Sequence, residues 1–164
     1  MIDIALLTEK RYLNPNSESW YVKNILHEDR LIQSELEGVG VSSKRVAWDD
    51  DFNPSLFRFS LFRTTWNYFE KLDQFYNFLN NCRGKTKFIN PLDSIIWNLD
   101  KNYLIELEKA GINIVKTYIT KKSSPLSLLS IARQHNWDDV VIKPRVSAAA
   151  WNTHFIKKNN LQKN

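Results

Sequence analysis

The chain has 164 residues, 43% of them hydrophobic and 13% aromatic, which is enough apolar material for a packed core and unlike a disordered composition. A single cysteine, Cys82, excludes an internal disulfide and any multi-cysteine zinc site. No apolar run approaches the ~20 residues of a membrane helix, and "MIDIALLTEK" reads as a first strand and not a secretion signal, so a reducing cytoplasm is the expected home. The net charge of +5 is uneven: residues 1–95 carry 12 Lys+Arg against 13 Asp+Glu, residues 96–164 carry 11 against 5. The second part therefore holds the whole positive surplus and suits an anionic partner.

In chain order, "IDIALLT" (2–8) is a buried-type strand. Residues 17–40 place Tyr21, Ile25, Ile32 and Leu36 at helical spacing, with Gly38 or Gly40 as the stop. "SKRVAW" (43–48) is a second strand, "DDDFNP" (49–54) an acidic loop, and "FRFSLFRTTW" (57–66) a third strand. Residues 67–84 form a helix with Phe69, Leu72, Tyr76 and Leu79 on one face, and "KFINP" (87–91) is a short fourth strand. This alternation predicts a parallel sheet with helices on its faces. The pattern changes near residues 92–97. Beyond it we expect a helix over 98–111, a strand over 112–120, a helix over 124–136 that starts near Pro125, and two strands, 139–145 and 152–158, joined by a turn of small residues.

Four features carry possible chemistry. Lys143 ends an apolar strand, where it either snorkels at the sheet edge or aims its ammonium at a phosphate. Ser147, Ala148, Ala149 and Ala150 follow it; their small side chains leave backbone N–H groups open to an anion or simply make a mobile turn. Alanine suits a positive φ less well than glycine. If Asn98 caps the helix, Lys101 stands in its first turn, opposed to the helix dipole unless an anion sits there. "RTTWNYF" (63–69) lies where a strand meets a helix, the place where open parallel sheets gather ligands. There Arg63 can grip a carboxylate and Trp66 and Tyr68 can wall a pocket, or Thr64 or Thr65 is a helix cap with aromatics in the core. His27, His135 and His154 lack metal-ligand spacing, and the Asp49–Asp51 triplet either binds a cation or, as expected here, forms a solvated loop. No metal site is expected.

Taken in order, "RTTWNYF", "WNLDKNYLIELEKAGINIVKTYI" (97–119) and "VVIKPRVSAAAWNT" (140–153) resemble the ATP-grasp superfamily, in its glutathione-synthetase-like and ribosomal-protein-modification-like branch that includes ligases of cycloserine-type pathways. The resemblance implies an α/β chain: a Rossmann-like, parallel-sheet pre-ATP-grasp domain over residues 1–95, then the first lobe of an ATP-grasp domain over residues 96–164. It implies an ATP-dependent ligase that turns a carboxylate into an acyl phosphate, which an amine or thiol then attacks. By resemblance Lys101 and Lys143 hold ATP phosphates, residues Ser147 to Ala150 belong to the loop that covers them, and Arg63, Thr65, Trp66 and Tyr68 border the small carboxylate substrate. The loop is poorer in glycine than its relatives, and the second lobe, which holds magnesium, is absent from these 164 residues. The expectation is a truncated or split enzyme, inactive alone, whose partner is a C-terminal half or a second copy. The alternative is a non-catalytic docking module with a basic second half. Nucleic-acid binding is not expected, because the aromatics sit at core-like helical spacings and do not alternate with basic residues on an exposed strand.

Overall fold

The computed structural model describes residues 1–163 and divides the chain into two compact units, residues 1–95 and Ile96 onward. In the first unit, β1 (Ile2–Thr8) is followed by a short helix α1 (Lys10–Leu13) and the long α2 (Trp20–Gly38). Then come β2 (Ser43–Ala47), β3 (Phe57–Thr64), α3 (Leu72–Cys82) and the two-residue β4 (Lys87–Phe88). The sheet runs β2-β1-β3-β4 with every pairing parallel. β1 lies between two neighbours and under helices, so its sequence is a nearly unbroken apolar run, and Ala5, Leu6 and Leu7 are wholly buried. On one side Trp48, Phe75, Phe78 and Leu79 form the core, with Trp48 edge-on to Phe75 at 4.9 Å between ring centroids. α2 stops where Gly40 takes φ +76°, a conformation open to glycine.

The boundary between the units falls inside α4 (Leu92–Leu99). The second unit continues with α5 (Tyr103–Lys109), α6 (Leu128–His135) and an antiparallel pair, β5 (Val140–Ile142) and β6 (His154–Ile156). Ala132, Val140 and Leu161 form its small core, with Leu128, Leu129, Trp137 and Ile156 packed against them.

Three expectations are corrected. The helix expected over 98–111 is two helices. "LDSIIWNL" continues helically through Asn98, so the break falls at Asp100–Asn102 and Asn98 caps nothing. Residues 112–120 form no strand: Ile112, Val115 and Tyr118 are exposed, and no neighbouring strand among the described residues takes up their backbone groups. An apolar alternation becomes a strand only where a ladder receives it. α6 starts at Leu128, capped by Ser127 whose hydroxyl accepts from the Ser130 N–H at 3.1 Å, so Pro125 lies outside it. Among the described residues no helix is long and apolar enough to cross a membrane.

Candidate functional site

In the second unit the turn between α4 and α5 is tied to the segment after β5. The Lys101 amide donates to the Arg145 carbonyl at 3.0 Å. Its ammonium donates to the carbonyls of Arg145 and Ser147, both at 3.1 Å, and to the Ser147 hydroxyl at 2.9 Å. An ammonium has three donors, so Lys101 is fully engaged. Beside it the Arg145 guanidinium grips Asp100 through two bonds of 3.0 and 2.6 Å. Burial raises the Asp100 pKa, but hydrogen bonds from Arg145 and the Asn102 amide, with the nearby positive charges, outweigh it and hold the carboxyl below its usual range.

Lys143 stands just past β5, exposed, with no hydrogen bond or ion pair among the described residues. It is near enough to act on Lys101: burial first, then the Lys143 charge, lowers the Lys101 pKa. The two lysine charges thus lie close enough to repel one another. Within the loop that follows Lys143, Ala149 and Ala150 both hold a positive φ, 49° and 56°. The N–H groups of Trp151 and Thr153 are taken by the carbonyls of Ala148 and Ala150, at 2.9 and 3.1 Å. Those of Ala148, Ala149 and Ala150 make no hydrogen bond among the described residues. Successive unbonded amides in such a turn form a concavity with positive potential.

In the first unit the residues expected to meet a carboxylate are largely engaged internally. Arg63 donates from Nε to Asp29 at 3.0 Å and from Nη2 to Glu28 at 3.2 Å, both on α2. Asp29 is almost fully buried and also accepts from Arg45 Nε at 2.8 Å. Thr65 is buried and makes no side-chain cap; it precedes a short 3₁₀ turn, Trp66–Phe69. Trp66 faces Tyr12 and Tyr21, whereas Tyr68 packs on Phe69 and Phe75. The two rings do not share one set of neighbours.

The carboxyl ends of β1, β2 and β3 hold a network that sequence reasoning missed. Glu9, wholly buried, accepts from the Asn67 amide at 2.7 Å and from Arg11. The Asn67 side chain accepts from Trp48 Nε1 and donates to Asp49, both at 2.8 Å. Asp49 also accepts from the Lys10 amide at 2.7 Å and from Lys71 at 2.8 Å. Burial raises the Asp49 pKa, but Lys71, the Lys10 amide and Asn67 together keep it below the usual value. An internal carboxylate, Glu9, thus occupies the place beside the post-β3 turn. Its position directly after the central strand was the available signal. Among the described residues no group of three His, Cys, Asp or Glu can hold a metal ion.

The parallel α/β sheet of the first unit is followed by a second unit in which Lys101 and Lys143 lie near an alanine loop. One solved structure, the "Crystal structure of D-cycloserine synthetase DcsG", superposes with a TM-score of 0.78 at 21% identity, over 98% of this chain and 52% of that one. The chain belongs to the family of D-cycloserine synthetase DcsG N-terminal domains, whose model matches residues 4–90. It is also similar to the cycloserine biosynthesis protein DcsG of Streptomyces lavendulae, 29% identical over 87 residues, which are 52% of this chain and 29% of that protein. The chain thus spans about half the length of the solved relative and less of the curated one. The resemblance to cycloserine-pathway ATP-grasp proteins holds for their N-terminal portion.

Proposed function

We propose that this chain is the N-terminal part of an ATP-grasp ligase of the cycloserine-synthetase kind, and that its second unit is the first lobe of the nucleotide clamp. One observation carries this reading: among the described residues, Lys143 has no ion pair or side-chain hydrogen bond, and it leads into a loop whose three successive amides, Ala148 to Ala150, make no hydrogen bond. A triphosphate fits both features, one as a point charge and one as an array of backbone donors. Lys101 has a different share. Its ammonium shapes the loop through Ser147 and Arg145, and it meets a phosphate only by exchanging one of those bonds.

In the complete reaction the γ-phosphoryl group of ATP passes to a substrate carboxylate, giving ADP and an acyl phosphate; an amine or thiol then attacks the acyl carbon and phosphate leaves. Positioning and charge stabilisation dominate such a step. The first unit borders the small carboxylate substrate, with Thr65, Trp66, Tyr68 and the one terminal nitrogen of Arg63 that has no bond among the described residues as its contacts. Magnesium would be held by residues outside those described. Turnover requires a complementary half that supplies the second lobe, whether further along the same polypeptide, on another polypeptide or in a second copy, in a reducing cytoplasm.

The test is a titration of the isotope-labelled chain with ATP, read by amide NMR shifts. The reading expects saturable shifts at Lys143 and at residues 147–151, and no ADP release by the chain alone. Shifts elsewhere, or steady ADP release without a partner, overturn it.

A further inference from the structure

Residues 109–137 carry five cations, Lys109, Lys116, Lys121, Lys122 and Arg133, and no aspartate or glutamate. Within them lies "INIVKTYIT" (112–120), where the sequence predicts a strand and no described strand pairs with it. Seven of its nine residues are β-branched or aromatic, the types that suit a pleated, half-buried surface.

The backbone is correspondingly open. From Asn113 to Thr120 no N–H or C=O makes a backbone–backbone hydrogen bond among the described residues. The Thr117 hydroxyl donates to the Val115 carbonyl at 2.7 Å, a local bond that leaves every N–H free for a ladder. Val115 is 87% exposed and Ile112 51%. The segment is nevertheless held in place. The Tyr118 ring lies 5.3 Å from that of His135, the last residue of α6, and Lys116 pairs with Glu108 of α5 at 3.6 Å. A positioned, β-prone run with unpaired backbone groups is a template for another strand.

Charge selects the occupant. A second copy brings the same five cations against these and is repelled. Nucleic acid answers the charge but leaves the backbone groups and apolar side chains unmet. An acidic polypeptide strand answers all three, with ladder bonds along 113–120, apolar contacts to Ile112 and Val115, and carboxylates toward Lys116, Lys121 and Lys122. Lys121 and Lys122 are exposed and make no ion pair among the described residues.

We propose that residues 112–120 dock an acidic, strand-forming segment of a partner polypeptide by β-strand addition. Lys143 and the Ala148–Ala150 amides take no part, so this proposal and the nucleotide reading fail separately.

The experiment is an amide NMR titration of the full chain with a capped peptide of alternating glutamate and valine. The comparators are the lysine–valine counterpart, the glutamate–valine peptide with methylated backbone nitrogens, and a single-stranded DNA oligonucleotide. The expected result is saturable binding of the glutamate–valine peptide, weakened by added salt, with shifts and slowed amide exchange over 113–120. The lysine–valine and methylated peptides should not bind. Neighbouring N–H groups of a strand point to opposite sides, so one of Val115→Pro and Lys116→Pro must break the ladder. That variant should bind ~3–10-fold more weakly, the scale of one hydrogen bond, with Lys116→Ala as the control for lost charge. Both prolines replace exposed residues whose N–H groups are unbonded, and unchanged amide signals in α6 report an intact fold. No saturable binding of the glutamate–valine peptide, equal binding of its methylated form, DNA binding more tightly with the same shifts, or undiminished binding by both proline variants each overturns the proposal.

Discussion

Ala149 and Ala150 occupy a backbone region that alanine avoids, with φ of 49° and 56°. The left-handed conformation costs a non-glycine residue roughly 1–2 kcal/mol, while glycine gives back ~0.5–1 kcal/mol in chain entropy on folding. Replacing either residue by glycine should therefore stabilise the second unit by about 0.5–1 kcal/mol, and replacing both by about 1–2 kcal/mol. Neither side chain is buried, so no lost packing offsets the gain. Ala148 is the control: its φ is not positive, and Ala148→Gly should lower stability by ~0.5–1 kcal/mol. Urea denaturation followed through the amide signals of residues 128–156 reads each change. If all three variants shift the midpoint the same way, the strain assigned to the loop is wrong.

Further outcomes follow from the charged networks. Asp29→Ala leaves Arg45, 14% exposed in its side chain, and Arg63 without their shared carboxylate, and should destabilise the first unit by ~3–5 kcal/mol; Asp29→Asn should cost less, and a loss under 1 kcal/mol in a urea titration would show the cluster to be peripheral. Burial pushes the Cys82 thiol up to about 12, so an aromatic disulfide reagent at neutral pH should react only on unfolding; rapid reaction in native buffer would contradict the packing of α3. The Lys101 pKa is lowered in the fold, so its charged form is disfavoured there, and the second unit should gain stability as pH rises from that lowered value toward the ordinary lysine value. Asp100 has the opposite sign: its depressed pKa contributes stability above the ordinary carboxylate value, which is lost as pH falls through the depressed one. Urea midpoints against pH check both, and Lys101→Met and Asp100→Asn should flatten the alkaline and acid limbs respectively.

Much of the first unit is legible in the sequence, because β1 is apolar throughout, α2 repeats its apolar residues at helical spacing, and glycine stands where the helix ends. These are local signals. What sequence could not give is pairing across the chain. Arg63 at the end of β3 reads as a substrate grip, but that α2 brings Asp29 and Glu28 against it is a pairing no local pattern shows. Glu9 reads as an ordinary acid after a strand until the Asn67 amide closes on it. In the second unit the lysines and the alanine loop were visible as types, but the direct bond from Lys101 to Ser147 links residues 46 apart, and no spacing rule reaches that far. The strand expected over 112–120 failed for a related reason: its alternation is genuine, but a strand is defined by the neighbour that receives it.

The central claim is that the second unit is one side of a nucleotide clamp, with Lys143 and the Ala148–Ala150 amides as its phosphate contacts. Calorimetric titration of the chain with ATP, with and without magnesium, beside the Lys101→Ala/Lys143→Ala double variant tests it most directly. The account predicts weak, saturable binding that the double variant loses. Binding of equal strength in the double variant, or no binding by the unaltered chain, would contradict it.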